Sequence, residues 1–260
     1  MDAGLIVTLF LIGFVGSFIS GMLGIGGSII KYPMLLYIPP LLGFAAFSAH
    51  EVSGISAVQV VFASIGGVWA FRKEKLIHVP LIGIMGAGIL LGSFTGGFGS
   101  RFLSEAAINM TYAILATLAA VMMFMPKKGL DDIPLDEVKF HRALAFFLAL
   151  AIGAAAGIVG AAGAFILVPV MLVVLKIPTR ITIATSLAVT FISSIGASVG
   201  KVMTGQVLLW PAVIMVVASL LAAPLGANLS KKLKTVWLQG LLAVMILATA
   251  VQIWLDIFRG

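Results

Sequence analysis

Two glycine-rich stretches hold the spacing in this sequence that points most directly to chemistry. GMLGIGG at 21–27 and GIVGAAG at 157–163 both carry glycine at every third position, with proline six residues after the last one. A break in an apolar helix exposes backbone N–H groups where the next helix starts, and the dipole there favours an anion. We therefore predict that the two breaks line an anion site near the bilayer midplane. Its backbone contributors are Gly24, Gly26, Gly27, Ser28, Gly160 and Gly163.

Polar side chains follow each break. Lys31 comes four residues after Gly27, where an ammonium group opposes the helix dipole and a bound anion would relieve that repulsion. The alternative is that its long stem carries the charge to the interface. In 182–200, hydroxyl residues recur every three to four positions and share one helical face, which indicates either a hydrated pathway or interhelical packing. The side chains predicted to contact substrate are Lys31, Gln59, Thr190, Ser193 and Ser194.

His50 and Glu51 are the ionisable pair at the start of a further apolar segment, 48–71. Buried carboxyl and imidazole groups can exchange protons near neutral pH, so both residues are candidates for proton coupling. A simple interfacial location is the alternative.

The elements that position these groups must lie in a membrane. The 260 residues are 62% hydrophobic and 10% charged, with a mean hydropathy of +1.22, whereas soluble chains are about half apolar and about a quarter charged. Most of the apolar segments approach the roughly 20 residues that a spanning helix needs. The segments are 4–38, 48–71, 79–98, 106–125, 141–175, 182–200, 207–229 and 236–255.

The two halves of the chain are related. A shift of 136 residues places 21–35 on 157–171, and a shift of 130 places TGGFGSRFL at 95–103 on LGANLSKKL at 225–233. Such duplication is common in transporters. We predict repeats over 1–126 and 141–260, joined by a polar cytoplasmic linker at 127–140.

The basic residues predict the topology. If each glycine-rich segment is a hairpin, loops at 72–78, 126–142, 176–180 and 231–234 share one face and hold 12 Lys and Arg residues, against Arg101, Lys201 and Arg259 on the other face. The positive-inside rule then makes the 12-residue face cytoplasmic. The fold predicted is an all-α polytopic membrane protein of two inverted repeats. Each is a broken hairpin plus three spanning helices, and both termini lie outside.

The duplicated signature GIGGSIIKYP (24–33) and GAAGAFILVP (160–169), followed by the hydroxyl-bearing ATSLAVTFISS (184–194) and the basic turn of GANLSKKL (226–233), resembles the sulfite exporter TauE/SafE family of membrane permeases. The resemblance covers essentially the whole chain. It implies outward transport of sulfite, organosulfonates or related sulfur anions. Two positions depart from the family pattern: Lys31 replaces a usually apolar residue, and AHEVSG (49–54) replaces a small A-T-S-type stretch.

The function predicted is therefore a secondary transporter that exports a small sulfur-containing anion by alternating access. It would sit in a bacterial or archaeal inner membrane, with the anion and lipid as partners. An anion channel and a carrier for small carboxylates are the alternatives. H-E-x-x-H, G-x-S-x-G, a P-loop and cysteine do not occur in the sequence, so we expect no enzyme, metal or cofactor. Nucleic acid is not expected as a partner, and homodimerisation is compatible with a compact bundle.

The hairpin topology can be tested with fusions at the C-terminus. We expect alkaline phosphatase fused after residue 260 to be active and green fluorescent protein at the same position to be dark, because both report an external terminus. A fluorescent C-terminal fusion in intact cells would contradict the inverted-repeat arrangement.

Overall fold

The computed structural model describes residues 2–23, 28–71, 77–124, 138, 140–161, 163–230, 233, 240–241, 244, 247–248 and 250–255. These residues form helices and connecting turns and no strand, and 250–255 is also helical. The helices are α1 (Ala3–Leu23), α2 (Ser28–Leu41), α3 (Ala49–Phe71), α4 (Val79–Gly99), α5 (Glu105–Phe124), α6 (Arg142–Val159), α7 (Ala164–Val173), α8 (Thr179–Met203) and α9 (Leu209–Ser230), with a 3₁₀ turn at Ser100–Phe102.

Six of these helices, α1, α4, α5, α6, α8 and α9, are long and apolar enough to cross a membrane. Their outward faces are also apolar: Leu91 is 56% exposed, Val121 59% and Phe147 63%. A surface of this kind suits lipid rather than water. The prediction of an all-α polytopic membrane protein is confirmed.

Each of the two long glycine-rich segments contains two consecutive helices. α6 ends at Gly160, whose φ of 71° is left-handed, and α7 begins after Gly163, whose φ is 70°. Glycine adopts this conformation without the steric penalty that other residues meet. Gly160 also lies against α3, where an added Cβ would come 1.8 Å from the carbonyl oxygen of Ser53. In the first segment α1 ends at Leu23 and α2 starts at Ser28.

Helices of opposite halves pack backbone to backbone. α1 packs on α9 and α4 packs on α6. An added Cβ on Gly21 would lie 2.2 Å from the carbonyl oxygen of Ala223, and one on Gly157 would lie 2.3 Å from that of Ser93. The close helix packing that small residues permit therefore holds at both of these glycines.

A second pair of contacts repeats this arrangement. An added Cβ on Gly96 would lie 1.9 Å from the carbonyl oxygen of Ala154, and one on Gly226 would lie 1.9 Å from that of Phe18. The shift of 130 relates Gly96 to Gly226, and the shift of 136 relates Phe18 to Ala154. Each contact is therefore the counterpart of the other in the two halves. The pattern supports the predicted duplication. The repeat boundaries and the orientation of the halves in the membrane remain predictions.

α3 and α8 lie between these outer pairs. α8 packs on α3 and α4, while α3 packs on α8 and α9. α8 is the most buried of the six spanning helices. In the 18-residue apolar stretch of each helix, 72% is buried in α8 and at most 50% in any of the others. Side chains on the facing sides of α3 and α8 are therefore shielded from lipid.

The glycine contacts predict a specific pattern of stability. Gly96→Ala and Gly226→Ala should each destabilise the protein by about 1–3 kcal/mol, because the methyl group overlaps backbone that cannot move independently. Gly83→Ala, on the exposed side of α4 with open space around it, is the control. It should be neutral or stabilising, since alanine favours a helix by about 1 kcal/mol over glycine. Thermal unfolding in detergent measures all three; equal stability of the three variants would contradict the packing.

Candidate substrate site

The hydroxyl stripe predicted in 182–200 faces the interior. The stripe is buried along its whole length. Its buried members are the hydroxyl residues Thr182, Ser186, Thr190 and Ser193, together with Ala197, which continues their spacing. Some of the hydroxyls on α8 are satisfied by their own helix, as when Ser194 Oγ donates to the carbonyl oxygen of Phe191 at 2.7 Å. Thr190 and Ser193 have no such bond.

Five buried side-chain atoms in the described part of the chain lack a hydrogen-bond partner, and all five lie on α3 or α8. They are Ser56 Oγ and Gln59 Oε1 on α3, and Thr190 Oγ1, Ser193 Oγ and Ser198 Oγ on α8. A buried polar atom without a partner costs about 1–3 kcal/mol, so such atoms are rare in proteins. Their concentration on two packed helices makes α3 and α8 the candidate location for a polar ligand or water.

Gln59 is held in one orientation by a cluster of hydroxyls. Its Nε2 donates to Ser17 Oγ at 2.8 Å and also to Ser219 Oγ. Ser17 Oγ donates to Ser219 Oγ at 2.9 Å, and Ser219 Oγ donates to the carbonyl oxygen of Met215 at 2.6 Å. Since these bonds use the amide nitrogen, the partnerless Oε1 is the free end of a fixed side chain.

Lys31 reaches the same cluster from the first broken hairpin. It is fully buried, and its Nζ donates to Ser17 Oγ at 3.4 Å. Its stem fills the space left by Gly16 on α1, where an added Cβ would come 2.2 Å from Lys31 Cγ. The ammonium group is therefore inside the protein, and it lies one hydroxyl away from Gln59.

The other predicted backbone positions are placed as follows. Gly24, Gly26 and Gly27 fall outside the described residues, and Ser28 begins α2. Gly160 caps the end of α6, Gly163 caps the start of α7, and Gly160 meets α3 at Ser53. The assignment of these residues to a substrate site stays a prediction.

His50 and Glu51 make structural bonds at the start of α3. The backbone N–H of Ser48 donates to Glu51 Oε2 at 2.8 Å, and the N–H of Glu51 donates to Ser48 Oγ at 3.2 Å. This reciprocal pair is a capping box. His50 Nε2 lies 3.3 Å from the carbonyl oxygen of Ser100. The interfacial alternative accounts for these contacts, and proton coupling remains an untested proposal.

Sequence reasoning missed Lys201, which we assigned to an external loop. It belongs to α8 and is fully buried. The signal was present, because Lys201 continues the spacing of the α8 stripe four residues after Ala197. When Lys201 is not counted with the external loops, the predicted cytoplasmic face still holds more basic residues than the external face, so the predicted topology does not change.

A cavity of about 380 Å³ lies elsewhere, between α5 and the C-terminal helical residues. Its lining includes Thr117, Leu247 and Trp254 and carries no charged side chain. The described lining of this cleft therefore offers an anion no charged partner.

Comparison with known proteins identifies the family. The model of the sulfite exporter TauE/SafE family matches residues 9–253. The chain belongs to this family. No solved structure matches it.

Relatives in this family come from bacteria and archaea. The chain is 21% identical to the probable membrane transporter protein YunE of Bacillus subtilis, over 95% of this chain and 96% of the relative. It is 28% identical to a probable membrane transporter protein of Xylella fastidiosa, over 70% and 68%. It is 26% identical to one of Methanocaldococcus jannaschii, over 93% and 94%. The family is named for sulfite exporters, and these relatives are named probable membrane transporter proteins. These names confirm the prediction of a membrane transporter rather than an enzyme.

Variants of Glu51 can distinguish its role in capping α3 from a role in proton coupling. Glu51→Gln should keep the stability of the wild type, since glutamine also closes a capping box. Glu51→Ala should lose about 1 kcal/mol, as is typical for loss of a cap. Thermal unfolding measures the stability, and flux at several pH values measures the function. If Glu51→Gln is as stable as the wild type but loses the pH dependence of flux, Glu51 couples protons rather than only capping α3.

Proposed function

We propose that this protein exports a small sulfur-containing anion, sulfite or an organosulfonate, across the cytoplasmic membrane of its cell by alternating access. The anion binds between α3 and α8, beside Lys31 and the broken-helix starts after 24–27 and 160–163. The family name motivates the substrate class, and the five buried atoms without partners motivate the location.

Those five atoms suit a small anion that also carries a hydrogen-bond donor. Hydroxyls of Ser56, Thr190, Ser193 and Ser198 can donate to anion oxygens. Gln59 Oε1 is an acceptor and needs a donor, which hydrogen sulfite carries as its remaining proton and an organosulfonate carries only where its organic part bears an N–H or O–H group. The ligand would then supply the hydrogen bonds that the protein itself leaves unmade, and binding recovers their cost.

Lys31 supplies charge to the same region. Its ammonium group is buried and shares Ser17 with the Gln59 amide. Charge–charge attraction is much stronger in a low-dielectric interior than in water, so a buried ammonium group selects anions over neutral solutes. The Ser17–Ser219 pair fixes Gln59 before substrate arrives, which reduces the entropy lost on binding.

The arrangement of the halves suits alternating access. α3 and α8 meet at the centre, and each packs on a spanning helix of the opposite half. Rocking of one half against the other around a central site is the usual mechanism in duplicated transporters. The sequence has no P-loop, and the inside-negative potential itself favours outward movement of an anion. External termini and the cytoplasmic linker at 127–140 belong to this proposal.

Ligand-dependent stability tests the site. Sulfite or a sulfonate at 100 times its dissociation constant should stabilise the purified protein by about 2.7 kcal/mol, seen as a saturable rise in the thermal unfolding midpoint. Gln59→Ala and Lys31→Met should each weaken binding about tenfold, because each removes a polar partner worth about 1.5 kcal/mol.

Matched controls keep this test specific. Gln252→Ala and Lys176→Met make the same substitutions at exposed side chains and should bind as the wild type does. Shifts with small carboxylates alone would retain a transporter and reject the sulfur substrate. Binding unaffected by both buried variants would reject the α3/α8 location. Flux that neither saturates nor supports counterflow would indicate a channel.

A further inference from the structure

Lys201 is the second buried ammonium group in the described part of the chain, and its surroundings differ from those of Lys31. Its Nζ lies 2.7 Å from Ser53 Oγ, 2.7 Å from Ser100 Oγ, 2.8 Å from the carbonyl oxygen of Ile158 and 3.0 Å from Gln206 Oε1. An ammonium group has three N–H donors, so the four acceptors share three hydrogens. We call Lys201 and these four groups the Lys201 knot. All four acceptors are uncharged, so the knot holds no anionic partner for Lys201 when its side chain is protonated.

One of these acceptors explains how the charge is tolerated there. Ile158 lies in the last turn of α6, next to the break at Gly160. The last carbonyl groups of a helix have no partner within it, and the helix dipole makes that end attractive to a cation. The compensation is partial, because a helix end carries only about half an elementary charge. A small anion would therefore be held more strongly than any of the neutral acceptors it displaced.

The knot joins the two halves of the chain. Ser53 and Ser100 belong to the first half, whereas Lys201, Ile158 and Gln206 belong to the second. It lies near the end of the bundle at which α3 begins and α8 ends. Relative movement of the halves must therefore break hydrogen bonds at Lys201.

The knot also lies beside the partnerless atoms of the α3/α8 interface. Ser56 follows Ser53 by three residues on α3, and Ser198 precedes Lys201 by three residues on α8. Three residues of helix rise about 4.5 Å, so the partnerless hydroxyls begin within one turn of the knot on both helices. A ligand bound along these helices that leaves through this end must pass Lys201.

Gln206 is the acceptor that lies outside the helices, in the turn between α8 and α9, after Gly205, whose φ is 70°. It is buried; its Oε1 also accepts from Ser100 Oγ at 3.1 Å, and its Nε2 donates to Thr204 Oγ1 at 2.6 Å. Its side chain can turn away from Lys201 once these two bonds break, whereas Ile158 offers a backbone carbonyl of α6 and Ser53 lies inside α3.

We propose that the Lys201 knot is a cationic gate and a second anion subsite. With the gate closed, the ammonium group ties the halves together through neutral acceptors. As the gate opens, Lys201 exchanges Gln206, and then Ser100, for the oxygens of the departing anion, and the neutral acceptors return once the anion has left. This proposal rests on the transport function proposed above and adds a residue that gates transport in addition to those that bind.

Flux in proteoliposomes tests the gate first. Lys201→Met should lower the maximal rate of sulfite counterflow by about tenfold, equivalent to about 1.4 kcal/mol in a barrier, while sulfite binding measured by thermal shift stays within about twofold of the wild type. Lys201→Arg, which keeps the charge, should retain more of the rate than Lys201→Met. The exposed Lys176→Met should transport as the wild type does. An unchanged maximal rate in a folded Lys201→Met protein would overturn the proposal.

Thiol labelling tests the charge directly and does not require transport. The chain has no cysteine, so Ser56→Cys introduces a single thiol behind the knot. Methanethiosulfonate reagents bearing a sulfonate or a trimethylammonium group are added to spheroplasts and to inverted vesicles. From the Lys201 side the anionic reagent should react about tenfold faster, relative to the cationic one, with Lys201 present than with Lys201→Met, because a buried charge raises the local concentration of its counter-ion.

The outcomes separate this gate from the transport function. A reagent ratio that Lys201→Met leaves unchanged overturns the gate, even if wild-type sulfite transport is normal. If Lys201 were only structural, its loss would speed or slow both reagents alike. Absence of sulfite transport by the wild type, with the charge-dependent ratio intact, would reject the proposed substrate and keep the anion gate.

Discussion

Backbone contact between helices of opposite halves is the constraint on which the rest of this structure depends. At Gly96 and Gly226 even a methyl group would overlap a carbonyl oxygen of the neighbouring helix, so α4 lies directly on α6 and α1 directly on α9. The bundle is surrounded by lipid, and apolar side chains are as well solvated by lipid as by the protein interior. Close packing is therefore a principal source of association between the helices. Because α4 contacts α6 directly and α1 contacts α9 directly, α3 and α8 are enclosed between these two pairs of helices.

The enclosed pair is where the duplicated backbone carries unequal chemistry. A shift of 136 places Lys31 on Leu167 and Ser17 on Gly153. A shift of 130 places Ser219 on Ile89, and a shift of 135 places Gln59 on Ser194. Ser194 is therefore the one polar member of the counterpart to the Gln59 cluster. An anion bound beside Gln59 would find the fixed amide and the Lys31 amino group on the side of the first half, while hydroxyls come from both helices.

Much of the framework could be predicted from the sequence, because a bilayer limits each apolar run to a helix of known length. The segment at 182–200 became α8, and the glycine-rich segment at 157–163 contains the interruption between α6 and α7. Burial of the Thr190 and Ser193 hydroxyls followed from helical spacing alone.

What could not be predicted depends on contacts distant in the chain. Ser17 and Ser219 meet only because α1 packs on α9, and no local pattern marks either residue. Lys201 was misplaced because a lysine at the end of an apolar run ordinarily reaches the interface, whereas here three acceptors from distant segments, together with the nearby Gln206, retain it. Glu51 was considered for its acidity, although the Ser48–Glu51 spacing also fits a capping box.

The lysine at the end of α8 has no counterpart in the other half, where a shift of 135 gives Gly66. A transporter whose halves exchange roles passes through two states that are mirror images only if the halves are chemically equal. In the gate that we propose, an ammonium group closes one end of the bundle, and the related position at the other end is a glycine. Under that proposal the two states differ in free energy even where their helix frameworks correspond. A single side chain can thus set the side to which the empty protein rests open, and evolution can adjust that preference without altering the packing of any helix.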